Sequence, residues 1–154
     1  MTPKTGNPKA QGTVDEEEIS IDMTQAKTFE PLPEKQPYLA MVHKWKPGKT
    51  ANGRKLDYGF TVSEPEQFKN RKIEESLSLE NEYTLGRLQT ILVKGLGFPE
   101  DEVKTKTFKL PKEEDVIGLQ ATIWCRTRKD DTYGDRSTIN RFAPAESYKT
   151  ITAV

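Results

Sequence analysis

The sequence predicts a mainly β domain with a single α-helix between its third and fourth strands. Three observations lead there. Several stretches alternate apolar and polar residues at the strand period, most clearly "LDYGFTVSE", where Leu56, Tyr58, Phe60 and Val62 share one face. One stretch, "NEYTLGRLQTILVKGLGFP", changes to the helical period, with Leu85, Leu88, Leu92 and Leu96 recurring at i, i+3, i+7 and i+11. Turn-forming clusters rich in Gly, Pro and Asn separate the periodic runs.

Residues 1–36 precede the folded part. They contain the acidic run "DEEE" and the proline-rich "FEPLPEKQP", with few residues able to bury, and read as a disordered acidic arm ending in a linker. Within the arm, "EISIDM" alternates apolar and polar residues and could add an edge strand to a partner. The domain spans residues 37–146. Its first strand is "YLAMVHKW", Tyr38 to Trp45, followed by the turn-rich loop "KPGKTANGRK" and then by the half-buried second strand. "RKIEESLSL" is the third strand, with Ile73, Leu77 and Leu79 on one face and Glu75 interrupting it. The helix follows, with Asn81 as its N-cap and Gly95 or Gly97 before Pro99 as its stop. "PEDEV" offers a further helical turn, and "KTFKLP" is an extended connector. In the fourth strand Ile117, Leu119, Ala121, Ile123 and Cys125 alternate with Gly118, Gln120, Thr122, Trp124 and Arg126, and the first set is the candidate core. The fifth strand runs from Arg136 to Ala143, and residues 147–154 form a short tail without strong pattern. Three strands, a helix and two strands is the layout of a five-stranded OB-fold barrel. A small α+β sheet with a covering helix fits the same string.

Composition narrows the function classes. The chain has 154 residues, 33% hydrophobic and 31% charged, enough for one domain and a polar arm. No apolar run is long enough to span a bilayer, and the opening residues lack a signal-peptide core, so a cytoplasmic protein is expected. A single cysteine, Cys125, excludes an internal disulfide, and a single histidine, His43, leaves no Cys/His set for zinc. Net charge is zero, yet residues 1–36 carry −3 and the remainder +3. The basic excess gathers between His43 and Lys72 and in the last hairpin, a pattern suited to an anionic partner.

Two motifs fail on spacing. "GKT" at Gly48 to Thr50 lacks the glycine that a phosphate loop needs five residues earlier, where His43 stands. "DDTYGD" has its acids at the wrong spacing for a calcium loop and reads as turn chemistry. No nucleophile–base pairing stands out, so no enzyme, metal or cofactor is expected. His43 reads as a strand residue, half-buried or touching a ligand.

What remains is a set of cations interleaved with aromatics. Trp45 lies between Lys44 and Lys46, ahead of a loop bearing Lys49, Arg54 and Lys55. Trp124 shares a strand face with Arg126 and Arg128, and Tyr133 sits at the hairpin tip before Arg136. Single-stranded nucleic acid calls for this combination, because unpaired bases stack on rings while cations follow the phosphates. In an OB-fold the loops between strands one and two and between strands four and five take part, here residues 46–55 and 129–135. The competing readings are that the tryptophans are core and that the arginines only protect an edge from aggregation.

The segments "YLAMV", "GRKLDYGFTV", "FKNRKI", "LGRLQTILVKGLGF" and "INRFAP", in this order and spacing, resemble a family of phage-encoded OB-fold single-stranded-DNA-binding proteins. The resemblance covers Tyr38 to Ala145. It implies sequence-tolerant binding of single-stranded DNA during phage replication or recombination, in the host cytoplasm. It further implies replication or recombination proteins as partners and leaves a homo-oligomer open. Many such proteins recruit partners through an acidic C-terminal tail, whereas this chain ends "YKTITAV" and carries "DEEE" near its N-terminus. The alternative from a different class is a phage accessory or inhibitor protein whose basic hairpin docks on an acidic host protein surface.

Overall fold

In the computed structural model, residues 18–23, 30–129 and 134–152 are described. Five strands form one antiparallel sheet in the order β3-β2-β1-β4-β5: β1 Pro37–Thr50, β2 Gly53–Glu64, β3 Lys72–Ser78, β4 Gln120–Arg128 and β5 Arg136–Pro144. The expected strand–strand–strand–helix–strand–strand order is present. The expected closed barrel is not, because the hydrogen-bonded ladder is open between β3 and β5. Among the described residues no helix is long and apolar enough to cross a membrane.

The two open edges nevertheless face each other. Glu75 of β3 accepts from the Ile139 amide at 2.7 Å, and Arg87 donates to the Ile139 carbonyl at 2.6 Å. Side chains thus satisfy backbone groups of β5 that a neighbouring strand would otherwise pair. Arg87 also donates to Glu75 at 2.7 Å, and the Tyr58 hydroxyl donates to the same carboxylate. Glu75 stands at an inward position of β3, between Ile73 and Leu77, so its charge requires these partners.

Helix α1, Glu82–Gln89, starts where expected: the Asn81 carboxamide oxygen accepts from the Tyr83 amide at 2.7 Å. It runs into a π-helical turn, Thr90–Gly95. The stripe it buries is Leu88, Ile91, Leu92 and Gly95, whereas Leu85, expected on that face, stays exposed. Gly95 lies against Phe142, where a Cβ would come within 3.3 Å of the ring. Gly97, at φ +82°, ends the helix as a C-terminal glycine does.

Among the described residues three short α-helices, α2 Glu100–Val103, α3 Glu113–Val116 and α4 Ser147–Thr152, and a 3-10 turn at Glu66–Phe68 complete the fold. The first was expected. The acidic run before Val116 forms a turn of helix that buries Val116, and the supposed tail folds as α4 with Tyr148 buried.

The linker boundary also moves. Residues 30–36 pack on the sheet, with Leu32 only 1% exposed, its amide donating to Ser137 Oγ at 2.7 Å. Tyr38 donates to the Pro33 carbonyl at 2.5 Å, and Arg71 donates to the Glu30 carbonyl. Leu32 is the lone Val, Ile or Leu in "FEPLPEKQP", and it joins the buried core while lining a cavity with Ile73 of β3 and Ser137 of β5. Upstream, Ile19, Ile21 and Met23 are exposed.

Candidate nucleic-acid interface

Bulges decide which side chains reach the surface. In β1, Val42 pairs with Phe60 and Lys44 with Gly59, so His43 is an extra residue and the inward phase shifts by one. Tyr38, Ala40 and Val42 point inward before the bulge, and Trp45 does so after it. Trp45 is therefore core: it is 0% exposed and its Nε1 donates to the Pro111 carbonyl at 3.0 Å. The expectation that Trp45 stacks a base is overturned.

The expected basic loop, residues 46–55, is itself paired. β1 continues to Thr50 and β2 begins at Gly53, leaving a two-residue tip, Ala51 and Asn52. This ribbon disperses its cations. Arg54 is held by Glu80, Nε to Oε2 at 3.0 Å, and the Arg54 amide donates to the same oxygen at 2.9 Å. Those two bonds hold the Glu80 carboxyl down at about 2, well below its ordinary value. Lys55 pairs with Asp57 at 3.1 Å. Lys46 and Lys49 are exposed along the ribbon and do not line the groove to which the other cations contribute.

The other basic residues converge. An open groove of about 830 Å³ runs between the β2–β3 side of the sheet and the β4–β5 hairpin. Lys44 reaches it from β1, Arg126 and Arg128 from β4, Arg136 from β5 and Arg87 from α1. Three acids share the lining, and each has partners. Glu75 is bound as above. Asp57 accepts from Ser76 at 2.6 Å and pairs with Lys55, and the Ser76 bond chiefly lowers its pKa. Glu74 lies 2.7 Å from His43 Nε2, which is the main cause of its lowered pKa, and 4.0 Å from Lys44. Arg126, Arg128 and Arg136 have no carboxylate partner among the described residues. Arg128 and Arg136 are direct cross-strand partners, an arrangement of like charges that costs stability unless an anion joins them.

Trp124 follows the outward phase expected of it, between buried Ile123 and Cys125, and is half-buried. It does not line the groove. It forms the floor of a neighbouring recess, with the guanidinium carbon of Arg141 4.4 Å from its ring centroid. Tyr133 lies outside the described residues. The Cys125 thiol is buried, and burial is the main cause that pushes its pKa up to about 12, so it remains a neutral thiol at ordinary pH.

One arrangement was not visible in the sequence. His43 Nδ1 lies 2.8 Å from Thr61 Oγ1 while Nε2 meets Glu74. The ring covers Gly59, where a Cβ would come within 2.7 Å of it. Hydroxyl, imidazole and carboxylate stand in a row, but Thr61 and His43 do not line the groove. The row ties the bulge in β1 to β2 and β3. Sequence reasoning also missed Arg87, and it noticed Asn140 and Arg141 in the hairpin without placing them among the site residues. The inward acid Glu75 was the available signal for Arg87, because a buried carboxylate calls for a cation on whatever packs above it. No protein-family model matches the chain, and no curated protein matches its sequence.

Proposed function

We propose that this protein binds single-stranded DNA, without sequence preference and without catalysis, along the groove between the β2–β3 side and the β4–β5 hairpin. The carrying observation is the convergence of Arg126, Arg128 and Arg136, none with a carboxylate partner among the described residues, opposite Lys44 across an open channel. Guanidinium groups in such a channel bind successive phosphates, and the cross-strand Arg128–Arg136 pair is relieved by an anion between them.

We read the open five-stranded antiparallel sheet as an OB-fold-like barrel left partly open between β3 and β5, and that reading supports the proposal. That fold binds oligonucleotides on the face of strands two and three, between its first and last hairpin loops. The groove here runs beside β2 and β3 and is walled by the last hairpin. On this reading the chain belongs with the phage-encoded single-stranded-DNA-binding proteins that its motifs resemble. It would serve replication or recombination in the host cytoplasm.

Gel shift with matched single- and double-stranded DNA across a salt series tests the proposal. Four neutralised phosphates give a log–log slope of roughly −3 for single strands, with duplex bound more weakly. Equal affinity for duplex, or no shift of either DNA at low salt, would falsify it.

A further inference from the structure

Among the described residues the groove supplies cations but no aromatic surface: its described lining contains no Trp, Phe or Tyr. Single-strand binders need a place for the bases as well as for the phosphates. The recess on the other side of the β4–β5 hairpin has the missing element. Its volume is about 240 Å³, and Lys35, Trp124, Arg126, Asn140 and Arg141 line it with Glu34 and Cys125.

Two features make this recess a continuation of the groove. Arg126 and Asn140 line both, so the two spaces meet across the hairpin. Asn140 is the extra residue of the β5 bulge: Trp124 pairs with Arg141 and Cys125 with Ile139, leaving Asn140 between them. The bulge sets Ile139 and Phe142 inward and leaves Asn140 and Arg141 exposed.

The recess is also charged and preorganised. Trp124 and Arg141 are opposite each other in register, and the guanidinium lies over the indole. A stacked guanidinium keeps its N–H edges free to donate and presents its outer plane to a base. Glu34, the one carboxylate in the lining among the described residues, accepts from the Thr127 amide at 2.7 Å and so fixes the linker as the outer wall. Lys35 follows it in the left-handed region, at φ +67°. Three cations remain, Lys35, Arg126 and Arg141.

We propose that the recess takes one nucleotide of a single strand leaving the groove. The strand crosses the hairpin between Arg126 and Asn140, its base stacks on the Trp124–Arg141 shelf, and Lys35 and Arg126 contact the flanking phosphate. The proposal rests on the groove being a single-strand site, and it adds the path, the stacking platform and the linker's part in the wall.

The test uses the full chain with oligo-dT of about four and about sixteen nucleotides, spanning the usual site sizes. Binding is read by anisotropy of end-labelled DNA, and the shelf by tryptophan emission. Trp45 is buried, so quenching reports Trp124, and Trp124→Phe is the control that removes it. The longer oligonucleotide quenches Trp124 and the shorter one, held in the groove, does so weakly. Arg141→Ala weakens the longer oligonucleotide about tenfold and leaves the shorter unchanged. Arg141→Lys, which keeps the charge and loses the plane, behaves like Arg141→Ala. Long DNA bound without quenching, or Arg141→Ala binding long DNA like the parent, overturns the shelf while leaving the groove standing. Absence of all binding at low salt overturns both.

Discussion

The β1–β2 ribbon and the β4–β5 hairpin are both basic antiparallel arms, and each carries one of the two tryptophans. In the ribbon the bulge at His43 turns Trp45 into the core, and Glu80 and Asp57 occupy Arg54 and Lys55. In the hairpin Trp124 keeps the outward phase, and Arg126, Arg128 and Arg136 face a groove without carboxylate partners among the described residues. The difference teaches that aromatic and basic content does not make a nucleic-acid surface. Strand phase decides where the ring points, and the nearest carboxylate decides whether a cation remains available.

The tryptophans separate the two arms most sharply. Trp45→Ala removes a fully buried ring and a hydrogen bond to Pro111, and should cost about 3–5 kcal/mol in urea unfolding. Trp124→Ala should cost about 1 kcal/mol or less and change DNA binding instead. Similar losses at both positions would break the comparison.

Next in size is the bracket that ties β3 and α1 to the hairpin strand β5. Glu75→Ala leaves Arg87 partly buried without its carboxylate and the Ile139 amide without an acceptor. Because the Arg87 side chain keeps 30% exposure, the expected loss is about 2–3 kcal/mol, below that of a fully buried pair. Faster exchange of the Ile139 amide should accompany it.

The cations come third. Replacing Arg126, Arg128 and Arg136 together by Gln should weaken single-strand binding by at least about tenfold at low salt and flatten the salt slope by about 2. The matched triple replacement of Lys46, Lys49 and Arg54 should stay within about threefold.

The smallest effect makes the ribbon resemble the hairpin. Glu80→Gln should release Arg54 and steepen the salt slope by up to about 0.7. In the parent the Glu80 carboxyl titrates near 2, below its ordinary 4.5. A depressed pKa stabilises the fold above pH 4.5, and this contribution is lost as pH falls toward 2. Carboxyl NMR should show the midpoint near 2 and its return toward 4.5 in Arg54→Ala.

Much of the fold was legible because strand and helix periods are local. "LDYGFTVSE" became β2 as read, and Asn81 caps α1 as read. The bulges at His43 and Asn140 were not legible, since one inserted residue leaves no mark in composition yet reverses the phase beyond it. That is why Trp45 was misplaced. The pairing of Arg54 with Glu80 spans 26 positions and depends on β2 meeting the end of β3, a tertiary fact. Leu32 was assigned to a linker because a single apolar residue among prolines carries no periodicity, although a single residue can still be buried in the core. The outward face of Trp124, Arg126 and Arg128 was legible because β4 alternates regularly from Ile123 to Arg128. Thr122, read as outward, is nevertheless buried, and Ile117, read as core, precedes the strand and is exposed.

Amide chemical-shift mapping with oligo-dT tests the central claim most directly. The account predicts perturbations at Arg126 to Arg128, Arg136 to Asn140 and Lys44, with little change at the ribbon tip around Ala51 and Asn52. Perturbations centred on that tip, or none at saturating DNA, would contradict it.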